Sequence, residues 1–409
     1  MRKIIFLTIF FSWIFGVDAT INVVNSGTNL PRISVVDCSN LQNANLRNKF
    51  FKIIVGDLMV GSTFEVEKIY QAGEYNNNIT SNNSDLVVKY LYDGALTLNI
   101  KVINGKNSNK IFEKIYNISD QNRYPFLAHN AISEIVKTIG FSNVDWMNKM
   151  IIFARENARK SSQILVSDYT LSYQKIIVNG GMNKYPKWTN KSQTEFYYTT
   201  FINSTPTLFK YNLTNGVRTR IISSNGMLVA SDISEDGNRL VLTMAPNDQP
   251  DIYIFDKNSR NLTKVTNFDG IDVSGHFLDN ETKIAFVSDR LGYPNIFSTQ
   301  ANSSSKAVNQ MVYEGKNNSD LSTFKNYIVY SSRQGPGIFN LFLISTQSNY
   351  VRQLTASGKN LFPRFSDDGG SVLFIKYDER GSNLGIVRVN ENKSFQFPLN
   401  LGQIQSLDW

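Results

Sequence analysis

The sequence predicts an α/β N-terminal domain followed by an all-β six-bladed β-propeller that is closed by its own C-terminal strand. Three observations carry this expectation. A hairpin unit recurs about every 44 residues from Trp188 to Trp409. The period is missing before residue 148, and three strand-like runs between Ile151 and Val178 lack a first partner.

The chain has 409 residues, enough for two domains. Residues 1–19 read as a secretory signal peptide. Arg2 and Lys3 form the charged start, Ile4 to Val17 the apolar stretch, and Val17-Asp18-Ala19 the cleavage site. That stretch is shorter than the ~20 apolar residues that span a bilayer, and no later run reaches that length. The expectation is export through a cleaved signal, a soluble monomer and no span in the mature chain.

Residues 20–148 read as the α/β domain. Ile33 to Val36, Leu86 to Tyr92 and Leu96 to Val102 are strand-like, while Leu46 to Met59 and Leu127 to Ile139 carry helical spacing. Residues 149–409 read as the propeller. Its anchor residues are Trp188, Ile233, Phe277, Leu321, Phe365 and Trp409, and second strands keep the same beat at Leu240, Ile284, Ile328 and Val372. Units of this length with several strands are blades, whose apolar faces only a neighbouring blade can bury. In "PRFSDDGGSVLF" and "DISEDGNRLVL" an Asp-Gly pair makes the tight turn after the anchor. The final QIQSLDW supplies an inner strand with nothing after it. Ile151 to Phe153, Gln163 to Val166 and Ile176 to Val178 are its expected partners, so one blade joins both ends of the propeller.

Composition narrows the chemistry. Cys38 is the only cysteine, which excludes an intramolecular disulfide and a cysteine metal cluster. It reads as a half-buried strand residue. His129 and His276 are too far apart for a short-range metal motif, and no metal or cofactor is expected. The net charge of +8 is scattered, which points to a solvated surface rather than a nucleic-acid groove. No Gly-x-Ser-x-Gly elbow occurs. A carboxylate-based glycosidase, or a glycan- or metal-binding module, stays open as the alternative to a binding protein.

Several stretches resemble the TolB family of the Tol-Pal system. They are Pro186-Lys187-Trp188, Pro363 to Gly369, Ser288-Asp289-Arg290-Leu291-Gly292, Ser331-Ser332-Arg333-Gln334-Gly335, and the front-domain "DLMVGSTFEV" and "LAHNAISEIVKTIG". The resemblance runs over essentially the whole chain. Four of the six anchors lack the proline, and the blades of Trp188, Phe277 and Leu321 lack Asp-Gly. The resemblance implies a non-enzymatic periplasmic adaptor. It would bind a Pal-like lipoprotein on the propeller and a TolA-like inner-membrane protein through the mature N-terminal segment. Outer-membrane integrity, cell division and bacteriocin entry are the implied roles.

Blade geometry narrows the site. Residues just before each inner strand and those between second and third strands share one face around the channel. This gives Lys184, Tyr185, Ala230, Val273, Ser274, Asn317, Asn318, Leu361 and Phe362, with Arg290 and Arg333 in the turns. Ala230, Val273, Ser274 and Met227 match the family's partner contacts. The two arginines either face a partner or brace their turns. Ile21, Asn22, Val23 and Val24 either add a strand to a partner's sheet edge or belong to the front domain.

Overall fold

The computed structural model describes residues 30–77, 83–158, 161–302, 307–379, 381–400 and 402–409. The chain first runs through strand Arg32–Asp37 into helix α1, Ala44–Gly61. Asn43 starts α1 by accepting the Leu46 N–H on its side chain at 3.0 Å. Ser62 ends it with a left-handed backbone and an N–H bond to the Met59 carbonyl. Strand Arg32–Asp37 lies parallel to Leu86–Tyr92. Parallel neighbours need a crossover, and α1 lies within this one. The sheet continues through Thr97–Asn104 to an edge strand, Lys110–Asn117. Helix α2, Pro125–Ile139, begins with proline at its first turn, where no N–H is needed. Ile33, Val35, Val88 and Tyr90 of the sheet pack with Phe50, Ile54, Leu127 and Ile132 of the helices. Cys38 is half-buried beside Val36, Val87 and Ile103, in keeping with its sequence reading.

Beyond residue 150 the chain is β-structure in antiparallel units of four. Inner strands start the units at Asn183, Leu228, Asp272, Lys316 and Lys359, and each unit is named here by that residue. The Leu228 blade shows the plan: Leu228–Ile233, Arg239–Met244, Asp251–Asp256 and Leu262–Lys264 follow one another, with Ile233 opposite Leu240. The Lys316 and Lys359 blades are joined by a single parallel pairing of Phe339 with Lys359. Strand Gln403–Asp408 pairs with Ile151–Ala158, Leu407 opposite Phe153, and Ser161–Ser167 and Gln174–Val178 follow.

Blade faces bury one another. Val241, Ile252 and Ile254 of the Leu228 blade pack on Phe277, Ile284 and Phe286 of the Asp272 blade. Gly369 shows how close neighbours come. Its φ is +71°, and a Cβ there would lie 2.3 Å from the Phe324 ring of the preceding blade.

The N-terminal helices do not have a core of their own. Their cluster runs on into Phe153, Leu165, Tyr169, Leu373, Phe397 and Leu407 of the propeller. Trp409 packs on Trp146 at 5.1 Å and donates its indole N–H to the Phe365 carbonyl at 2.6 Å. Among the described residues, no helix is long and apolar enough to cross a membrane.

Candidate functional site

The inner strands build the mouth with β-bulges. Pairing slips between Lys184 and Lys187, Ala230 and Asp232, Val273 and His276, Leu361 and Arg364, and Ile404 and Ser406. The Lys316–Phe324 strand slips twice. Within these bulges Tyr185, Ser274 and Phe362 have φ of +54° and Asn317 has +59°. Side chains rarely accept that backbone, and a bulge at a rim re-aims the residue it carries.

Tyr185 and Phe362 are turned towards one pocket of about 300 Å³, where Lys184, Glu156, Tyr377 and Gln405 join them. Gln405 donates its amide to Glu156 at 2.9 Å, and the Tyr377 hydroxyl donates to the Ile404 carbonyl at 2.8 Å. On the Asp272 blade, Val273 and Ser274 are half-buried, and the Ser274 N–H donates to Thr243 Oγ1 at 3.1 Å. Asn317 and Leu361 are half-buried, while Met227 and Arg333 are exposed.

Three expected mouth residues are spent inside the fold. Ala230 is 3% exposed and packs with Leu228 and Leu242, because the bulge of its strand falls after it. Asn318 is fully buried and donates to Asn295 Oδ1 at 2.9 Å, binding its blade to the one before. Arg290 clamps the buried Asp272 carboxylate at 3.0 and 3.1 Å and lies against the rings of Phe268, Phe286 and Phe297. Of its two readings, the geometry favours the brace. Ile21, Asn22, Val23 and Val24 lie outside the described residues.

Two features of this face escaped the sequence reading. Ile271, Leu291, Tyr313 and Ile338 are exposed, as Met227 is, and Tyr313 is 81% exposed. They lie just before inner strands or between second and third strands, on the mouth side. Tyr313 could have been found by asking which aromatic lies next to, but outside, the repeat.

The second feature is a belt of polar residues one place before each anchor: Lys187, Asp232, His276, Asp320, Arg364 and Asp408. Lys187 bridges Asp408 at 3.0 Å and Asp232 at 3.7 Å. The Asp408 and Asp232 carboxylates accept the N–H groups of Trp188 and Phe277, each at 2.9 Å. Burial, helped by Arg364 and Lys187, holds the His276 imidazole well below its usual range and therefore neutral. Burial pushes the Asp320 carboxyl up to about 6 against the opposing pull of Arg364. Among the described residues, no group of three His, Cys, Asp or Glu is placed to hold a metal ion.

Comparison with known proteins identifies the family. The family model of the TolB beta propeller domain matches residues 145–409. The Tol-Pal system protein TolB of Campylobacter jejuni (strain RM1221) is 49% identical over 414 residues, covering 100% of both chains. That of Wolinella succinogenes is 42% identical over 427 residues, again covering 100% of both. The crystal structure of TolB from Acinetobacter baumannii superposes with a TM-score of 0.74 at 18% identity, covering 95% of this chain and 99% of that one. Tol-Pal system proteins of this kind are not enzymes. A full-length match to curated relatives, together with the propeller match, means that the chain belongs to the TolB family of Tol-Pal system proteins.

Proposed function

We propose that the chain is a periplasmic adaptor whose propeller mouth binds a Pal-like peptidoglycan-associated lipoprotein. In this reading Ile21, Asn22, Val23 and Val24 of the mature N-terminal segment engage a TolA-like inner-membrane protein. The adaptor supports outer-membrane integrity and constriction at division, and other outer-membrane proteins or bacteriocins use the same mouth. Residues 1–19 are removed on export, residues 20–148 form the α/β domain, and residues 149–409 form a propeller of six blades that strand Gln403–Asp408 closes.

One observation carries the reading: every blade from Leu228 to Lys316 has an exposed apolar side chain at its mouth end. Met227, Ile271, Leu291, Tyr313 and Ile338 are exposed, and Val273, Ser274 and Asn317, at the same end of their blades, are half-buried. Across the channel from them is the pocket of Lys184, Tyr185 and Phe362. Large apolar and aromatic groups bordered by polar ones are the make-up of a protein interface. Leu361 and Arg333 extend the same rim. The buried Ala230 and Asn318 and the half-buried Arg290 support it from beneath.

Calorimetry with the soluble domain of the same organism's Pal-like lipoprotein tests this reading. The parent chain binds, and Ser274→Arg and Tyr313→Glu each lose about tenfold or more in affinity while keeping the parent's melting temperature. Binding that survives both substitutions removes the partner from this face.

A further inference from the structure

A buried charged node joins the N-terminal helices to the propeller. His129 of α2 lies between two carboxylates. Its Nδ1 is 2.8 Å from Asp57 of α1, and its Nε2 is 3.1 Å from Asp168, in the loop between strands Ser161–Ser167 and Gln174–Val178. All three side chains are fully buried. The remaining carboxylate valences are filled from the propeller side. Tyr169 donates its hydroxyl to Asp57, and Asp168 accepts the N–H groups of Thr170 at 2.9 Å and Tyr173 at 2.6 Å as well as the Thr170 hydroxyl.

With both carboxylates ionised, the geometry calls for a charged imidazole. A neutral ring has one N–H and one lone pair, so one nitrogen would turn a lone pair towards a carboxylate oxygen about 3 Å away. Only the imidazolium donates to both. The other groups packed on the ring supply no competing cation. Phe126 meets it edge-on at 5.7 Å and Tyr169 lies at 4.8 Å. The Arg123 guanidinium lies on the Phe126 ring, 4.8 Å from its centre. Tyr124 is near enough for its phenol to feel the Asp168 charge.

We propose that this node is a proton-held latch: while the His129 imidazolium bridges Asp57 and Asp168, the N-terminal helices and the propeller keep one relative orientation, and loss of that proton releases the Asp168–Tyr173 loop. Three features make the loop the moving part. Asp168 and Tyr169 make the propeller's contribution to the node. Leu171 holds a φ of +60° while buried in the shared core. Ser172, Tyr173, Gln174 and Lys175 form one wall of a cleft of about 740 Å³ against Asp120 and Tyr124 of the N-terminal part. Release of the loop therefore changes the shape of that cleft. The latch stands apart from the mouth, so it does not depend on which partner the mouth binds.

The proton balance is set by two opposed effects, burial and charge. Burial alone would lower the His129 value, but Asp57 and Asp168 outweigh it and raise it to about 9. Burial also raises Asp57, against the pull of His129 and Tyr169. A value raised on folding stabilises fully below the unfolded range near 6.5 and is lost as pH rises through about 9. The latch is closed at neutral pH.

The chain has two histidines, so ¹⁵N-histidine labelling reads each ring separately, and His276→Asn assigns them. His129 should show two protonated nitrogens at pH 7 and titrate near 9. After correction for the roughly tenfold rise in intrinsic amide exchange per pH unit, the protection of residues 168–173 should fall about tenfold across that titration, while the Leu240–Met244 strand keeps its protection. His129→Gln should show the fast loop at pH 7 and no step near pH 9. If His129→Gln does not fold, the parent's titration alone decides. A His129 that titrates near 6.5, or a loop whose exchange ignores the titration, overturns the proposal.

Discussion

The C-terminal strand is where a small perturbation should have the largest structural effect. Ile404 and Leu407 are the buried aliphatics of Gln403–Asp408, at 0% and 1% exposure. Leu407 pairs with Phe153 and belongs to the core shared with the N-terminal helices. Leu407→Ala removes the transfer energy of the lost carbons and leaves a cavity, which together cost about 3–5 kcal/mol at a site that cannot collapse. Neighbours on both sides hold the site open here, so the upper half of the range applies. In a structure of this size that lowers the melting temperature by roughly 2–4 °C per kcal/mol, or about 8–20 °C in all. Removal of residues 403–409 goes further. It strips the ladder from Ile151–Ala158 and takes away the Trp409 indole bond to Phe365. Thermal unfolding followed by circular dichroism and calorimetry measures both variants. A truncated chain that melts within about 2 °C of the parent would refute the reasoning, because the strand would then hold nothing together.

Arg290→Met leaves the Asp272 carboxylate buried without its clamp, and breaking such a pair costs about 3–5 kcal/mol. A urea midpoint unchanged from the parent would return Arg290 to the list of partner contacts. Asp320 titrates high because it is buried, so its contribution is present below the usual carboxylate range and lost as pH rises through about 6. Asp320→Asn should remove that part of the stability change between pH 4 and 7, as read from urea midpoints, and parallel pH curves for both chains would contradict this. Gly369→Ala puts a Cβ into the Phe324 ring at a positive φ, and should destabilise by more than the ~1 kcal/mol that a left-handed alanine costs alone. A melting curve identical to the parent's would mean that the two blades part easily there.

How much of this was legible in the sequence differs from element to element. The repeat was readable because anchors such as Phe277 and Phe365 are apolar and evenly spaced. The strand Leu86–Tyr92 and the helix end at Ile139 were read to the residue. The edge strand Lys110–Asn117 was missed because its apolar residues come as adjacent pairs, so KIFEKIYN has no alternation to read although Phe112 and Tyr116 pack on the core. Ala230 was misjudged for a local reason. A bulge shifts which residue faces the channel, and its place depends on backbone angles rather than residue type. The belt from Lys187 to Asp408 was legible in principle from the same period. Its members differ in chemistry, however, and a search for similar residues passes over them. The His129 node was out of reach, since Asp57 and Asp168 lie 72 and 39 residues away and only the packed fold brings them together.

The central claim is that the mouth face receives the partner, and hydrogen-exchange footprinting of the chain with and without the soluble domain of the Pal-like lipoprotein tests it most directly. The account predicts slower exchange at residues 184–185, 271–274, 313–318 and 361–362 in the complex, and no change in the edge strand Lys110–Asn117. Protection confined to the blades' outer strands or to the N-terminal sheet, with the mouth exchanging as in the free chain, would contradict it.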